Sequence, residues 1–240
     1  MAKAAHLALG DCAVAVTGVS PSLAQGELET AREVAGIIGI RHEVINTEEM
    51  SSDGYTSNAP DRCYHCKSEL YTQMDGLAAR LNVAVVVNGA NVDDLDDYRP
   101  GMMAAQEHEV RSPLAECDLN KAEVRQLAQQ WALPVWDKPA APCLSSRIAY
   151  GEEVTPERLR MVDQTERYLR NLGLKEVRVR YHRGDLARIE VPADEISRLM
   201  HDSTRLELVA QLQSLGFRFI SLDLMGFQSG SLNRLVQLDA

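Results

Sequence analysis

The sequence predicts an α/β protein: a parallel, doubly wound sheet over residues 1–147, followed by a smaller α+β domain over residues 148–240. Strand-like and helix-like segments alternate through the first part of the chain. Within that part, AVVVNGA (84–90) is a β-branched run closed by Asn-Gly, which is typical of a central parallel strand. After about residue 150 the order of elements changes to α-β-β-α-β, which indicates a second, smaller domain.

Apolar periodicity and helix caps place the elements of the first part. Helices are predicted after SPS at 20–22, from about 63 to 81, and over 120–131, where Asn120 or Asp118 is the candidate cap. The predicted strands are 12–19, 42–46 and 84–90.

In the second part, Thr155 and Pro156 mark the start of a helix, with Thr155 as the N-cap and Pro156 at the first helical position. Two strand-like segments follow, EVRVRYH and ARIEVP, then a helix near 193–214 and a final strand in FRFISLDL.

Composition indicates a globular protein that acts on a small molecule. The chain has 240 residues, 45% of them hydrophobic and 25% charged, which is enough apolar content for a substantial core. A net charge of −10 argues against nucleic acid, because binding phosphates usually requires a basic surface. The sequence contains no apolar run of the ~20 residues that span a bilayer, and its start does not resemble a signal peptide. We therefore expect a cytoplasmic protein.

The cysteines point to metal or sulfur chemistry. A disulfide framework is not expected in a reducing compartment. The pair Cys63 and Cys66 forms a C-x-x-C motif, which places two thiolates on one turn where they can share a metal ion or cluster. The alternatives are a zinc site completed by His65, Cys117 or Cys143, a thioredoxin-like redox pair, and two buried cysteines without ligands.

A second segment, KPAAPCLSSRIAYG (138–151), places one cysteine in a loop rich in proline and hydroxyl groups. Arg147 lies four positions after Cys143, and a nearby cation favours the thiolate form of a cysteine. The two serines and Arg147 are good donors to a phosphate or a carboxylate. The structural alternative is a tight linker between the two domains.

A third segment follows the predicted strand at 84–90 and is rich in carboxylates. In an open α/β sheet, ligands bind beyond the carboxyl ends of the strands, and Mg²⁺ prefers oxygen ligands and phosphates. The segment is therefore a candidate for binding a nucleotide with Mg²⁺, and an acidic surface loop is the alternative. The candidate residues are Asn88, Gly89, Asp93, Asp97 and Arg99.

A fourth candidate is the strand-like segment with Arg178 and Arg180. Side chains two positions apart on a strand face the same side, so the two guanidinium groups form a plausible clamp for a phosphate or carboxylate. A solvated sheet face explains the same pattern.

Taken together, these segments resemble the LarE family, a branch of the PP-loop ATP pyrophosphatases. The resemblance covers the whole chain, with the matching segments in the family's order. It implies a PP-loop sheet of the adenine nucleotide α-hydrolase type. It also implies thiolation of the two carboxylates of pyridinium-3,5-biscarboxylic acid mononucleotide, a step in making the nickel-pincer nucleotide of lactate racemase. ATP adenylates the carboxylate, pyrophosphate leaves, and sulfur is then transferred. The segments that match are PDRCYHCK, NGANVDDLDDYRPG, RSPLAE, KPAAPCLSSRIAYG, VRVRYH, ARIEVP and LDLMGFQSG.

The resemblance also implies roles for individual residues. One version of the family sacrifices a cysteine as the sulfur source; the other delivers sulfide from a [4Fe–4S] cluster held by three cysteines. This chain resembles the cluster version, so a sulfide donor is expected. Family members assemble as oligomers, so a homo-oligomer is expected as well. Cys12 and Cys117 match no segment of the family and are expected to be core cysteines. The cluster ligands would be Cys63, Cys66 and Cys143; the catalytic residues Cys143, Ser146 and Arg147; and the substrate-binding residues Arg178, Arg180, Glu166 and Glu190.

The sequence departs from the family pattern at its start. Family members begin with a strand followed by S-G-G-x-D-S, whose amides bind the ATP phosphates at a helix N-terminus. The opening MAKAAHLALG resembles instead the end of the helix that follows this motif. Either the start lies upstream, or the chain lacks its pyrophosphate-binding loop. Two alternatives stay open: a PP-loop enzyme that thiolates tRNA, and a non-catalytic protein that binds a nucleotide and a cluster.

Overall fold

The computed structural model describes residues 1–95, 100–139, 141–228 and 231–232. The chain forms two compact units. The first contains Met1–Tyr55 and Asp61–Ala141, and the second contains Thr56–Pro60 and Pro142–Ala240. The structural division after Ala141 precedes the predicted domain boundary at 147, and the separate roles of the two domains stay a prediction.

Each unit contains both helices and strands, so the protein is a mixed α/β protein. The helices are α1 (Ala2–Leu9), α2 (Glu27–Ile38), α3 (Asp53–Thr56), α4 (Arg62–Leu81), α5 (Pro100–Glu107), α6 (Pro113–Glu116), α7 (Lys121–Gln130), α8 (Pro156–Asn171), α9 (Ile196–Leu199) and α10 (Asp202–Ser214). The strands are β1 (Val14–Val19), β2 (Arg41–Asn46), β3 (Arg178–His182), β4 (Leu186–Glu190) and β5 (Phe219–Leu222).

In the first unit, β1 and β2 form a parallel pair, in register from Val14 opposite Arg41 to Val19 opposite Asn46. The connection between them is α2, which begins after Gly26 and ends at Gly39, whose φ of 79° suits glycine at a helix C-terminus. The buried side chains Ala13, Ala35, Ile38, Ile40 and Leu133 form the core beside this pair. A strand–helix–strand unit of this kind was predicted from the alternating pattern.

The prediction of a central strand at 84–90 is wrong, because the described part of the chain has no strand there. Only Val87 makes a ladder contact there, an isolated parallel bridge to Arg111. The described first unit therefore contains one parallel pair of strands rather than a continuous doubly wound sheet. The physical reason is that a β-branched run favours a strand only when neighbouring strands supply hydrogen-bond partners and packing.

In the second unit, α8 packs on a three-stranded sheet in the order β3-β4-β5. The β3–β4 pair is antiparallel and the β4–β5 pair is parallel. The predicted α-β-β-α-β order is confirmed, except that the predicted helix at 193–214 is divided into a 3₁₀ turn, α9 and α10. The core is formed by fully buried apolar side chains, among them Leu159, Val162, Leu169, Val179, Ala187 and Leu212.

Helix starts agree with the caps read from the sequence. The Asn120 side chain accepts a hydrogen bond from the backbone N–H of Glu123, and the Glu123 carboxylate accepts one from the Asn120 N–H, which makes a capping box. The Thr155 side chain accepts a hydrogen bond from the Arg158 N–H, and Pro156 is the first residue of α8, as predicted. None of the described helices combines the length and the apolar composition needed to cross a membrane.

Candidate functional site

The second unit carries a dense cluster of arginines and buried carboxylates on one face of the β3–β4 pair. Arg178 lies opposite Glu190 and Arg180 opposite Arg188, so these four side chains share the face. The opposite face is apolar, since Val179 is fully buried in the core. The prediction that Arg178 and Arg180 face the same side follows from this register and is confirmed.

Glu166 of α8 is fully buried and accepts hydrogen bonds from three elements. Its Oε1 accepts from Arg147 Nε at 3.0 Å and from the backbone N–H of Val179 at 3.1 Å. Its Oε2 accepts from Arg170 Nη2 at 2.6 Å and from Arg147 Nη2 at 3.3 Å. Charge-assisted hydrogen bonds of this kind fix side-chain geometry, so Glu166 holds Arg147 in place.

Arg147 in turn organises the loop that carries Cys143. Its Nη1 donates to the carbonyl of Pro142 at 2.5 Å, to the carbonyl of Cys143 at 3.1 Å and to Ser146 Oγ at 3.0 Å. The Ser146 hydroxyl donates to the Cys143 carbonyl at 2.8 Å. The predicted catalytic residues Cys143, Ser146 and Arg147 therefore belong to one hydrogen-bonded turn, and Glu166 anchors that turn.

Glu190 of β4 is the second fully buried carboxylate. Arg180 donates to its Oε2 from Nε at 3.0 Å and from Nη2 at 2.8 Å, and Arg180 Nη1 donates to the Ser146 carbonyl at 3.1 Å. Arg188 lies 2.9 Å from Glu190 Oε1 and also pairs with Asp223. The Ser231 hydroxyl donates to Glu190 Oε1 at 2.5 Å. Arg180 thus joins the Cys143 loop to the sheet.

The cluster is richer in cations than in carboxylates. Five arginines (Arg147, Arg170, Arg178, Arg180 and Arg188) lie around three carboxylates (Glu166, Glu190 and Asp223). Burial, followed by the charge of Arg147, lowers the pKa of Arg178 from its ordinary value. Arg178 also donates to the Val177 carbonyl at 2.8 Å and lies 5.2 Å from the centre of the Phe227 ring. An excess of guanidinium groups on one face gives a positive potential, which suits an anion.

A cavity of about 220 Å³ lies beside this cluster. Burial, followed by the charge of Arg188, lowers the pKa of His182 in its wall from the ordinary value. Its wall combines the hydroxyl, amide, imidazole and guanidinium groups of the lining with the Asp223 carboxylate, which pairs with Arg188. Its lining residues are His182, Arg188, Asp223, Met225, Gly226, Gln228 and Ser231.

The three predicted cluster ligands lie in different units. Cys63 and Cys66 lie in the first two turns of α4 in the first unit, at a spacing that places both on one face of the helix. Cys143 immediately precedes the 3₁₀ turn Leu144–Arg147 in the second unit. None of the three forms a disulfide among the described residues; Cys63 is exposed, and Cys66 and Cys143 are half-buried.

Within the described ranges, no three His, Cys, Asp or Glu side chains form a metal-binding group. The three-cysteine ligand set therefore stays a prediction. The expectation that Cys12 and Cys117 are core cysteines is wrong, because both are exposed. Cysteine is often buried, but the 3₁₀ turn that contains Cys12 and the helix end that contains Cys117 leave these two at the surface.

In the acidic loop, the structure gives the predicted residues local roles. Asn88 Oδ1 accepts from the Ala90 N–H at 3.0 Å and from the Ser112 hydroxyl at 2.9 Å. The Asp93 carboxylate accepts from the backbone N–H of Lys121 at 3.0 Å, so it neutralises the start of α7. Gly89 is exposed. The predicted residues Asp97 and Arg99 lie outside the described residues, and the nucleotide site stays a prediction.

Several members of the arginine cluster were not predicted as site residues. Arg188 could have been found from the pattern of β4, since it lies two positions before Glu190 and therefore on the same strand face. Arg170 could also have been predicted, because it lies four positions after Glu166 on α8, a spacing at which side chains of opposite charge form ion pairs. No local signal points to Asp223 or Ser231, which are distant from β4 in sequence.

No protein-family model matches the chain. It is 52% identical over 236 residues to the uncharacterized protein slr1717 of Synechocystis sp., covering 98% of this chain and 88% of that protein. It is 39% identical over 223 residues to the pyridinium-3,5-bisthiocarboxylic acid mononucleotide synthase of Lactiplantibacillus plantarum, covering 93% of this chain and 80% of the synthase. It is 28% identical over 193 residues to the uncharacterized protein MJ0830 of Methanocaldococcus jannaschii, covering 80% of this chain and 74% of that protein. The chain therefore belongs to the LarE family, the family of the pyridinium-3,5-bisthiocarboxylic acid mononucleotide synthase.

Proposed function

We propose that this protein is an ATP-dependent sulfurtransferase that thiolates the carboxylates of pyridinium-3,5-biscarboxylic acid mononucleotide in nickel-pincer nucleotide biosynthesis. The observation that carries the proposal is the 39% identity, over 93% of this chain, to a protein named as the synthase of the corresponding bisthiocarboxylate. The acidic net charge of −10 supports a small-molecule substrate over tRNA.

The reaction divides into two displacement steps. A substrate carboxylate oxygen attacks the α-phosphorus of ATP, pyrophosphate leaves, and an acyl adenylate forms. Sulfide then attacks the acyl carbon, the carbon–oxygen bond to the phosphate breaks, and AMP leaves with the electron pair. Both steps handle anions, so the protein must supply positive charge that is placed before reaction.

The arginine cluster of the second unit is suited to binding this substrate. A mononucleotide with two carboxylates carries one phosphate group and two carboxylate groups, all of which are anions. Arg178, which shares a strand face with Arg180, is our candidate for contacting the phosphate together with Arg180. Glu166 and Glu190 hold the neighbouring guanidinium groups in fixed orientations. Planar guanidinium groups pair with phosphate through two parallel hydrogen bonds.

Cys63, Cys66 and Cys143 would hold a [4Fe–4S] cluster. The donor chemistry fits, because the three cysteines are exposed or half-buried and form no disulfide among the described residues, and thiolates are the usual ligands of such clusters. When bound, the cluster would supply the sulfide through the iron that lacks a protein ligand. The candidate residues for ATP and Mg²⁺ are Asn88, Gly89, Asp93, Asp97 and Arg99, within a PP-loop fold.

The remaining parts of the proposal concern the setting of the reaction. We propose a cytoplasmic location, a separate sulfide donor and assembly as a homo-oligomer. These follow from the family resemblance and from the free cysteines, which suit a reducing compartment.

The proposal is tested with protein reconstituted anaerobically with iron and sulfide, then incubated with ATP, Mg²⁺ and the biscarboxylate mononucleotide. We expect AMP and pyrophosphate to form together with a product in which sulfur replaces oxygen, as detected by mass spectrometry. Release of AMP with no sulfur in the product would contradict sulfur transfer. If neither AMP nor product forms in protein that carries a cluster, the ATP-dependent activity is wrong. Cys117→Ser is the matched control, because Cys117 is an exposed free cysteine outside the proposed ligand set.

A further inference from the structure

The first two turns of α4 carry Cys63 and Cys66, and two glycines of neighbouring helices lie against these turns. Gly54 belongs to α3 and Gly101 to α5. Neither glycine has a positive φ, so the backbone at both positions would also accept alanine. What each glycine supplies is space, because a methyl group on either Cα would meet a side chain of α4 at less than 3.0 Å.

The imidazole ring of His65 lies face-on against Gly54. A Cβ atom at this glycine would lie 2.5 Å from His65 Cε1 and 2.6 Å from both Nδ1 and Nε2. Nearly equal distances to three consecutive ring atoms place the Cβ position above the ring plane rather than beside its edge. The neighbouring Tyr64 ring stands at 81° to the imidazole, with the two ring centroids 5.4 Å apart. His65 therefore occupies the space that any side chain at position 54 would need, and this contact holds α4 against α3.

α5 packs against another side of α4. A Cβ atom at Gly101 would lie 2.9 Å from Lys67 Cγ and 3.4 Å from the carbonyl oxygen of Cys63. The Tyr64 hydroxyl donates a hydrogen bond to Glu107 Oε2 of α5 at 2.7 Å. α5 therefore contacts the side of α4 that carries Tyr64 and Lys67.

The two contacts divide the circumference of α4. Side chains of an α-helix follow one another at intervals of about 100°. With Cys63 at zero, Lys67 lies at about 40° and Tyr64 at about 100°, and α5 faces this sector. His65 lies at about 200°, which α3 faces, and Cys66 lies at about 300°. The two cysteines are therefore neighbours in the sector between the two contacts, and Cys63 is exposed while Cys66 is half-buried.

Burial of apolar surface does not account for these two close approaches. The His65 side chain is 32% exposed and Lys67 is exposed, so a glycine placed against either one buries little apolar area. A close approach on two sides restricts instead how far the start of α4 can rotate about its own axis. The direction of the cysteine side chains on that helix is restricted with it.

We propose that Gly54 and Gly101 are positioning residues for the cysteine pair of the sulfur site. By letting α3 and α5 approach α4 this closely, they fix the direction in which Cys63 and Cys66 point. The inference rests on the proposed function, in which these two cysteines are ligands of the [4Fe–4S] cluster. Metal ligands are held in a fixed geometry by the groups packed around them, and neither glycine needs to touch the cluster.

The first arm of the test measures the direction of the two cysteines in the full chain before a cluster is assembled. Iodoacetamide is added, and alkylation of Cys63 and of Cys66 is followed separately by mass spectrometry. The exposed Cys63 should react at least about fivefold faster than the half-buried Cys66, because thiol reactivity depends on access. Gly54→Ala should reduce this ratio at least about threefold, because a start of α4 that is free to rotate exposes Cys66 as well.

Two further variants extend this arm. Gly101→Ala should reduce the ratio in the same direction, because its methyl group meets the Lys67 side chain. His65→Ala removes the ring and adds no atom, and it should reduce the ratio as Gly54→Ala does. The double variant of Gly54 and His65 should match either single variant, because all three remove the same contact. Unchanged ratios in Gly54→Ala and Gly101→Ala would overturn the proposal, as would a double variant that shows the full sum of the two single effects.

The matched control is Gly76→Ala, a change on α4 itself. Gly76 is exposed, and in the described part of the chain nothing outside its own helix lies within 4 Å of its Cβ position. It should leave the alkylation ratio unchanged, and an effect equal to that of Gly54→Ala would overturn the proposal. Fluorescence of Trp131 and Trp136, both in the first unit, gives the urea midpoint that checks folding. If Gly54→Ala lowers this midpoint, the ratio in His65→Ala decides.

The second arm measures the consequence for the cluster. Protein reconstituted anaerobically with iron and sulfide is mixed with excess EDTA, and the loss of cluster absorbance is followed. Gly54→Ala and Gly101→Ala should lose the cluster at least about tenfold faster than the parent, the lower end of the effect of groups that support metal ligands. Equal rates in these variants, Gly76→Ala and the parent would overturn the positioning role. A parent protein that takes up no cluster contradicts the proposed function instead, and the alkylation ratios then decide whether the glycines orient the cysteine pair.

Discussion

Replacing Glu166 by glutamine should destabilise the second unit strongly. Glu166 is fully buried and accepts hydrogen bonds from Arg147 and Arg170 and from the Val179 N–H. Arg147 is itself only 3% exposed, so its charge cannot be solvated when the carboxylate is removed. Removing one partner of a buried ion pair typically costs about 3–5 kcal/mol. We expect Glu166→Gln to lower the unfolding free energy of this unit by about 3 kcal/mol, the lower end of that range, because the amide keeps one acceptor.

The measurement must report on the second unit. Both tryptophans, Trp131 and Trp136, lie in the first unit, so their fluorescence follows the wrong part of the protein. Hydrogen exchange with mass spectrometry, in increasing urea, can follow peptides from α8 and β3 instead. Glu157→Gln is the matched control, because Glu157 is exposed on the same helix, and it should change stability by no more than about 1 kcal/mol.

A double-mutant cycle separates loss of the ion pair from general damage to α8. Replacing a whole buried pair by apolar groups is often close to neutral, so Arg147→Met added to Glu166→Gln should recover part of the lost stability. The reasoning is refuted if Glu166→Gln costs less than about 1 kcal/mol. It is also refuted if the stability losses of the two single variants add up to the loss of the double variant, because charges in contact should show a coupling free energy of about 0.5–3 kcal/mol.

Three further predictions concern other parts of the molecule. Burial lowers the pKa of His182 below its ordinary 6.5, so the unfolded chain takes up a proton at a higher pH than the folded protein does. The free energy of unfolding should therefore decrease as the pH is lowered from about 6.5. In urea titrations at several pH values, His182→Gln should make this decrease smaller. After anaerobic reconstitution, Cys63→Ser should lower the amount of iron that the protein retains, whereas Cys117→Ser should not. If the two variants retain equal amounts of iron, Cys63 is not a cluster ligand. The buried Asn58 amide donates to the Ala149 carbonyl at 2.8 Å and the Glu152 carbonyl at 3.0 Å, so Asn58→Ala should cost about 1–3 kcal/mol in calorimetry; no change would show that these bonds contribute nothing.

The parts of the fold that the sequence predicted well depend on neighbours within one or two turns. The start of α7 at Asn120 and the start of α8 at Thr155 are set by side chains that bond the backbone three positions away. The helix predicted over 63–81 is α4, which begins one residue earlier, at Arg62, and ends at Leu81 as predicted. Such interactions involve residues close in sequence, so they can be recognised without knowing what the element packs against.

The candidate site could be predicted only in part for the same reason. The alternation of Arg178 and Arg180 predicted a shared strand face, and the register confirms it. The rest of the network could not be predicted, because Asp223 pairs with Arg188 and Ser231 donates to Glu190 across long stretches of sequence. Contacts between residues distant in sequence depend on the packing of whole elements.

The sequence by itself determined the limits of α4, the capped starts of α7 and α8, the alternation of side chains on β3, and the segments that resemble the family. The tertiary structure decided which charges are buried together. Glu166 accepts hydrogen bonds from Arg147, which lies in a separate turn, and from Arg170, which lies on the same helix. It also decided that the 84–90 run makes only one bridge and that Cys12 is exposed. The physical reason is that helices and caps are stabilised by local hydrogen bonds. Strand pairing and the burial of charge require partners brought in from elsewhere in the chain.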